Sequence, residues 1–598
     1  MIFPFITVSQ FRMFFSMGIL HNHNMNMSHN SANISFRNME SGHNLCQKGC
    51  HMEDGQDLFQ KRRRKVIAHS KNRIGMTIVV CLVIYIILAI RIIQYGNIHP
   101  EPIAPSMNID EYGMSRPDII DRNGEILATD IPTFSLYVEP HKVISPDEII
   151  EKLQIVLPNL DSEMIRRKLS SETKFQWLRR KLSPQQQKRI LSFGLPGVGF
   201  RLEKSRFYPA ASHASHVVGY VDIDNRGITG IEKFLDMQGL TRVFTTNKGE
   251  KNLQPIRLAL DLRIQNIVHQ ELVENKKKYN AESVGTVILN VSTGEVISMV
   301  SIPDYDPHEA FKGKKEGWFN RISYGIFEMG SIFKVFTIAM GIDSGLFTVK
   351  DLFDTRNPIK VGKHVIHDYH PQNRILTIPE IFRYSSNIGA AQIADAMGIQ
   401  GHKEFLYRLG LLSKLETELP EIQAPSYPSQ WKRIHSLTIS FGHGLSTTPL
   451  QTAVAAAALI NEGRLIPPTF MIRSREESEK VSRIVLKKNT VKTMRSLLRE
   501  GVTGGSGRRA FVPGFEVGGK TGTAQKVIKK RYSDTLKINS FLAVFPTTDP
   551  QYIVLSFMDS PKIKERNQLT AGINVAPMVG NIIRRSASML GVKPVFLK

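Results

Sequence analysis

Apolar residues are distributed along this chain in three textures, and each predicts a different kind of structure. The first is one run, "RIGMTIVVCLVIYIILAIRII", free of charge from Ile74 to Ile90 and, with Ile92 and Ile93, long enough to cross a bilayer as a helix. The second, up to about residue 250, mixes short strand and helix signals. In "RPDIIDRNGEILATDIPTFSLYVEP", Asn123-Gly124 sits between two apolar runs and predicts a hairpin. A charged stretch over about residues 146–192 reads as helical, and "RFYPAASHASHVVGYVDIDNRGITGIEKFLD" follows it. This part holds no cluster of chemically active residues and reads as a structural module. The third texture begins near residue 255. "IRLALDLRIQNIVHQEL" starts as a strand and becomes an amphipathic helix. "SVGTVILNVSTGEVISMVSIP" predicts two β-branched strands with Thr293-Gly294 at the turn. Helical segments such as "LQTAVAAAALINEG" fill the middle, and strands return at "GFEVGGKTGTAQ", "INSFLAVFP" and "QYIVLSFMD". Strands at both ends with helices between predict an α+β domain whose sheet is completed late in the chain.

At 598 residues the chain is too long for one core, so at least two domains are expected. Lys61, Arg62, Arg63, Arg64, Lys65, Lys71 and Arg73 crowd one side of the apolar run. The positive-inside rule then places residues 1–73 in the cytoplasm and the bulk of the chain outside. No small-x-small cleavage site follows the run, so residues 74–93 read as an uncleaved transmembrane signal anchor. Pro4, Gln10 and Arg12 interrupt the apolar first twenty residues, and "HNHNMNMSHNSANIS" has the composition of a disordered tail. A translation start at Met39 or Met52 would account for both features. Beyond the anchor, Pro100, Pro102 and Pro105 predict a stiff stalk.

The formal net charge of +24 brings nucleic acid to mind. Lys and Arg are spread over the whole length, however, and no nucleic-acid signature is present. A basic surface close to anionic lipid or cell-wall polymer is the better reading, with no nucleic-acid partner. Cys46, Cys50 and Cys81 are the three cysteines, so nothing after residue 81 can form an internal disulfide. His43, Cys46, Cys50 and His51 lie close together, as do Asp368 and His370, but neither group has a second ligand pair. No metal or other cofactor is expected.

Candidate chemistry begins with a short pattern, Ser-x-x-Lys, that occurs at Ser171–Lys174, Ser331–Lys334 and Ser429–Lys432. Only Ser331 stands at the head of an apolar helix, "KVFTIAMGI", where Lys334 lies one turn on and its amine can reach the hydroxyl. A serine hydroxyl is inert until a base removes its proton, and a lysine serves once burial and a neighbouring cation lower its pKa. Downstream come Ser385-x-Asn387 at a helix start and Lys520-Thr521-Gly522, followed by Thr523, in a strand. Each alone is weak; in this order they form a serine acyl-enzyme set. Ser331 is then the nucleophile and Lys334 its base. Ser385 and Lys520 relay a proton to the leaving amine, and Lys520 helps to keep Lys334 neutral. Asn387 contacts a peptide backbone. Thr521 and Thr523 bind a terminal carboxylate on a strand that pairs with extended substrate, and Gly522 allows its close approach. The amides of Ser331 and Thr523 are the candidate oxyanion hole. Gly442-His443-Gly444 suggests a Ser-His arrangement, but no Asp can be tied to it, so a turn with a polar side chain is expected.

These motifs resemble the class B penicillin-binding proteins, the peptidoglycan D,D-transpeptidases. "DRNGEILA" and "RFYPAASHASHVVGYVDIDNRGITGIE" are similar to their pedestal, and "LDLRIQ", "TGEVISMVS", "GSIFK", "SSN", "GHGLSTTPLQ" and "KTGTAQ" to their catalytic domain. The resemblance implies a dimerisation-type pedestal over 97–250 and a serine β-lactamase-like transpeptidase domain over 255–592. It also implies attack of Ser331 on a D-Ala-D-Ala stem peptide, transfer to the amine of a diamino acid on an acceptor stem, and trapping by β-lactams. The wording "FEMGSIFKVFTIAMGIDSG" looks like the division-specific, septal branch. That implies a SEDS-family glycan polymerase and other divisome membrane proteins as partners at the bacterial inner membrane. No glycosyltransferase segment is evident, so cross-linking without polymerisation is expected. The elongation-specific branch and a β-lactam sensor without turnover are the alternatives. Met329 and Ile332 replace the Pro and Thr usual in the resembling motif, a change expected to alter packing and not chemistry.

Overall fold

The Asn123-Gly124 turn forms as a short chain of local hydrogen bonds. The Asp121 carboxylate accepts from the amides of Asn123 (2.7 Å) and Glu125 (2.9 Å), and Gly124 takes a φ of +97°. This joins β1 (Ile119–Ile120) to the antiparallel β2 (Ile126–Val138). The computed structural model describes residues 75–93, 116–239, 254–310, 315–528, 531–562 and 570–596. The tail over 1–73, the His43–His51 cluster, the basic flank and the proline stalk lie outside the described residues. The chain divides into two units, Met1–Ala104 and Pro105–Lys598.

In the first unit, helix α1 (Gly75–Ile93) exposes its apolar side chains all round and is long and apolar enough to cross a membrane. At 1.5 Å per residue it spans about 28 Å.

In the second unit, β2 is the organising strand of the first sheet, pairing with β1, with β3 (Gln176–Leu182) and with β4 (Val198–Phe207). Helices α2 (Pro146–Val156), α3 (Ser162–Leu169) and α4 (Pro184–Leu191) bury Ile149, Leu153, Ile165 and Ile190 against it. The charged stretch over 146–192 is therefore not all helix: β3 interrupts it, because Trp177 and its neighbours pair with the end of β2. Arg206 on β4 and Arg116 both donate to Glu232 of α5 (Gly230–Met237), at 2.6 and 2.8 Å, inside the protein. Arg206 also meets Asp130, and Arg116 meets Asp236. These buried charges are paired with one another, which suits a structural role. Strand β5 (Ile256–Arg257) pairs in parallel with β1 and closes this sheet.

The second sheet has the strand order Gly518–Ile528, Arg531–Phe545, Tyr552–Asp559, Ser283–Asn290, Val296–Ile302, all antiparallel. β6 (Ser283–Asn290) and β7 (Val296–Ile302) are joined by a turn in which the Asn290 side chain accepts from the amides of Ser292 and Thr293. β8 (Gly518–Ile528), β9 (Arg531–Phe545) and β10 (Tyr552–Asp559) come from the far end of the chain, as the late strand signals predicted. One face packs on α6 (Leu262–Lys278) and α12 (Ala571–Ser586) through residues such as Ile264, Val268, Phe541 and Val575. The other face carries the helical layer. It includes α7 (Phe333–Ser344), α8 (Ile378–Tyr384), α9 (Asn387–Arg408, kinked at Gly398), α10 (Pro449–Ala457) and α11 (Lys488–Thr503). Because both faces are covered, β6, β7 and β10 read as continuous apolar runs and not as alternation.

Candidate active site

Ser331 lies in a tight turn, Gly330–Ile332, that runs straight into α7. Two other backbone segments crowd that turn, one at Gly442 and one at Gly522–Thr523. A Cβ on Gly442 would stand 2.0 Å from the Gly330 carbonyl oxygen, one on Gly330 would stand 2.8 Å from the Thr523 oxygen, and one on Gly522 would stand 2.4 Å from the Met329 oxygen. Gly330 and Gly442 also have positive φ, +54° and +91°. Only glycine fits these positions. The room left at Gly522 is occupied by the Ser331 turn itself, so its contribution includes seating β8 against Ser331.

Lys334 is fully buried one turn along α7. Its Nζ lies 2.7 Å from Ser331 Oγ, 2.7 Å from Asn387 Oδ1 and 3.2 Å from Ser385 Oγ. Ser385 ends α8 in the left-handed conformation, φ +59°, and Ser386 caps α9 by accepting from the Gly389 amide. The break between these two helices is what brings both Ser385 and Asn387 to one ammonium. Lys520, on the edge strand β8, reaches Ser385 Oγ from the opposite side at 2.9 Å and lies 5.9 Å from the Phe382 ring centroid. Ser385 thus bridges two buried lysines. Burial, with the charge of Lys520 adding to it, holds Lys334 well below the ordinary lysine range. Burial alone lowers Lys520 to about 7. Thr521 Oγ1 is 2.5 Å from Ser506 Oγ, and Thr523 Oγ1 accepts from Ala571 N, the first residue of α12.

The other two Ser-x-x-Lys matches stay apart from this arrangement. Ser171 bonds locally to Thr173, and Ser429 and Lys432 are exposed. His443 does not approach Ser331 as a partner. Its Nδ1 is 3.0 Å from Glu328 Oε2, and the other Glu328 oxygen accepts from Gly444 N (2.8 Å) and from Tyr532 Oη (3.1 Å). Glu328 therefore ties the Ser331 turn to the Gly-His-Gly turn and to β9. The sequence reading did not single it out, although it stands three residues before Ser331.

Asp368 is a second residue whose role no motif along the chain marks. It is buried, accepts from Ser386 Oγ (2.7 Å) and from Ile388 N (2.9 Å), and so holds the start of α9. Asn387 Nδ2 donates to the neighbouring His367 carbonyl at 2.8 Å. His370 is exposed and stacks edge-on with Tyr369. No spacing rule connects Asp368 to Ser385-x-Asn387. Only the fold brings them together.

Residues 284–584 match the model of the penicillin binding protein transpeptidase domain, and residues 113–238 match that of the penicillin-binding protein dimerisation domain. The chain is 36% identical over 491 residues to the probable peptidoglycan D,D-transpeptidase FtsI of Caulobacter vibrioides, covering 80% of this chain and 82% of that protein. It is 30% identical over 505 residues to the probable peptidoglycan D,D-transpeptidase PenA of Neisseria meningitidis, covering 80% and 85%. It is also 30% identical over 514 residues to the stage V sporulation protein D of Bacillus subtilis, covering 80% and 79%. With half of its length matching the transpeptidase model and a bonded Ser331–Lys334–Ser385–Lys520 cluster at the centre of that half, the chain belongs to the penicillin-binding protein transpeptidases.

Proposed function

We propose that this protein is a peptidoglycan D,D-transpeptidase that cross-links stem peptides at the division septum through an acyl-enzyme on Ser331. The observation that carries the reading is the single bonded array running from Ser331 through Lys334 and Ser385 to Lys520. In the first half-reaction, Ser331 Oγ attacks the carbonyl of the penultimate D-Ala and Lys334 Nζ takes the hydroxyl proton. Charge developing on the carbonyl oxygen is met by the amides of Ser331 and Thr523, a contribution worth about 3 kcal/mol of barrier for one donor. The C–N bond then breaks, and the leaving D-Ala amine receives a proton through Ser385 Oγ, which lies between the two lysines. Thr521 and Thr523 hold the terminal carboxylate, and Asn387 orients the peptide backbone. In the second half-reaction, the amine of an acceptor stem attacks the ester, loses its proton along the same route, and returns Ser331 to the hydroxyl form. A β-lactam follows the first half only and leaves Ser331 acylated.

The septal assignment rests on the likeness of residues 327–345 to the division branch and on the match to a protein named FtsI. In this reading α1 is an inner-membrane anchor and the catalytic domain is periplasmic, which the basic residues preceding the apolar run support. In this reading a SEDS-family polymerase and other divisome proteins are its membrane partners, and peptidoglycan stem peptides and β-lactams occupy the site.

Labelling with a fluorescent penicillin tests the proposal. Wild type should label covalently and Ser331→Ala should not; a labelled Ser331→Ala protein would remove Ser331 as the nucleophile. Depletion in cells should give filaments, and rounded cells would move the protein to the elongation branch.

A further inference from the structure

Neither buried lysine of the site makes an ion pair among the described residues, yet a buried carboxylate stands one residue beyond the group that touches Lys334. Asn387 Oδ1 is 2.7 Å from Lys334 Nζ, and the next residue, Ile388, donates its amide to Asp368 Oδ1 at 2.9 Å. The other Asp368 oxygen takes the Ser386 hydroxyl at 2.7 Å. Ser386 already caps the helix through Gly389 N, so a neutral acceptor would be enough to finish the turn. Burying a charged group in its place is unfavourable unless charge of the opposite sign faces it. Several other charged groups on the surrounding elements are engaged elsewhere, and His402 of α9 is buried with its Nδ1 unpartnered among the described residues. Asp343, at the far end of α7, pairs with Arg408. Glu380 and Arg383 of α8 meet Arg374 and the Gly504 carbonyl, and Asp395 of α9 meets Arg433. Lys520 and Asp368 are the charged groups that act on Lys334, one from β8 and one from the loop before α8.

We infer that Asp368 is a positioning residue for the reaction: its carboxylate, through Ser386 and Ile388, fixes Ser385 and Asn387 on the lysines, and its negative charge offsets the positive charge of the Lys334–Lys520 pair. The direction of the Asp368 effect agrees, since it raises the proton affinity of Lys334 against burial and Lys520. The inference rests on reading Lys334 as the base.

The test is the pH dependence of acylation of the detergent-solubilised full chain by fluorescent penicillin. Asp368→Asn and Asp368→Ser are both neutral and both able to hydrogen-bond the turn. Losing the negative charge makes Lys334 harder to protonate, so the acid limb should move to lower pH by about one unit in whichever variant keeps the wild-type melting temperature. Ser386→Ala keeps the charge but loses a bond, and should lower the rate with the acid limb in place. A limb that stays put or moves to higher pH in a folded neutral variant overturns the inference. Failure of both neutral variants to fold also overturns it, because Asp368 would then serve the fold. Wild-type acylation by Lys334→Ala would instead remove the base reading itself, and so separates that failure from this one.

Discussion

Ser331 Oγ and Lys334 Nζ stand 2.7 Å apart, with the lysine fully enclosed by protein and its amine pointing back along α7 to the helix head. A one-turn spacing makes this contact geometrically possible. Enclosure by α9 and β8 is what lowers the proton affinity of the amine, since it removes the water that would otherwise stabilise the ammonium.

Replacing Lys334 by Ala removes the proton acceptor and leaves Ser331 in place. Acylation by penicillin should slow by about 10²- to 10⁴-fold, with the circular dichroism spectrum unchanged. Stopped-flow fluorescence measures the rate, and unchanged kinetics would eliminate Lys334 as the base.

Gly442 and Gly345 form a matched pair for testing the packing of the Ser331 turn. Both have positive φ, +91° and +84°, but only a Cβ at Gly442 meets another atom, the Gly330 carbonyl oxygen 2.0 Å away. Gly442→Ala should destabilise the protein by about 1–3 kcal/mol and reduce acylation at least ~10-fold, because the displaced carbonyl adjoins Ser331. Gly345→Ala should show backbone strain in the melting curve with acylation unaltered.

Lys520 gives the stability of the protein a pH signature. Its native pKa is about 7, far below the unfolded value of 10.5, so between these pH values the unfolded chain binds the extra proton. Stability attributable to this group therefore rises with pH across that window, and the burial penalty is present in full below it. Lys520→Met removes the penalty. Its melting temperature should exceed that of wild type most at pH 7 and below, and the difference should shrink towards pH 10. A difference that does not vary with pH would contradict the shifted lysine.

Arg206 tests the buried charges of the pedestal sheet. With its guanidinium gone, Glu232 and Asp130 lose a buried partner. Arg206→Met should lower the unfolding free energy by about 3–5 kcal/mol in urea titrations. Acylation of the folded protein should persist, since this network lies outside the Ser331 cluster.

Ile332 departs from the wording of the resembling motif without facing the chemistry. It is fully buried, and its side chain lies against Gly522. Ile332→Thr should leave the acylation rate within about threefold and lower stability by about 1–2 kcal/mol through lost packing and a buried hydroxyl. A large change in rate would make this side chain part of the catalytic geometry.

Much of this protein is legible along the chain because the deciding interactions are local. The apolar run over Gly75–Ile93, the turn at Asn123-Gly124, and the β6–β7 hairpin each depend on residues a few positions apart. So does the contact of Ser331 with Lys334 across one helical turn. Strand β3 was hidden because "QWLRRKL" is rich in charge, and its pairing with β2 depends on residues some forty positions upstream.

The sequence by itself therefore determined the candidate reacting groups and their order: Ser331 and Lys334, Ser385 and Asn387, then Lys520 and Thr521. Tertiary structure alone decided what makes them reactive. It seats Gly442, Gly330 and Gly522 so closely that the Ser331 turn and β8 touch, links Glu328 to His443 and Tyr532, and sets Asp368 behind Asn387. The physical reason is that a lysine's proton affinity depends on the water excluded around it and on charges brought near it through space. Neither is encoded in the spacing of a motif.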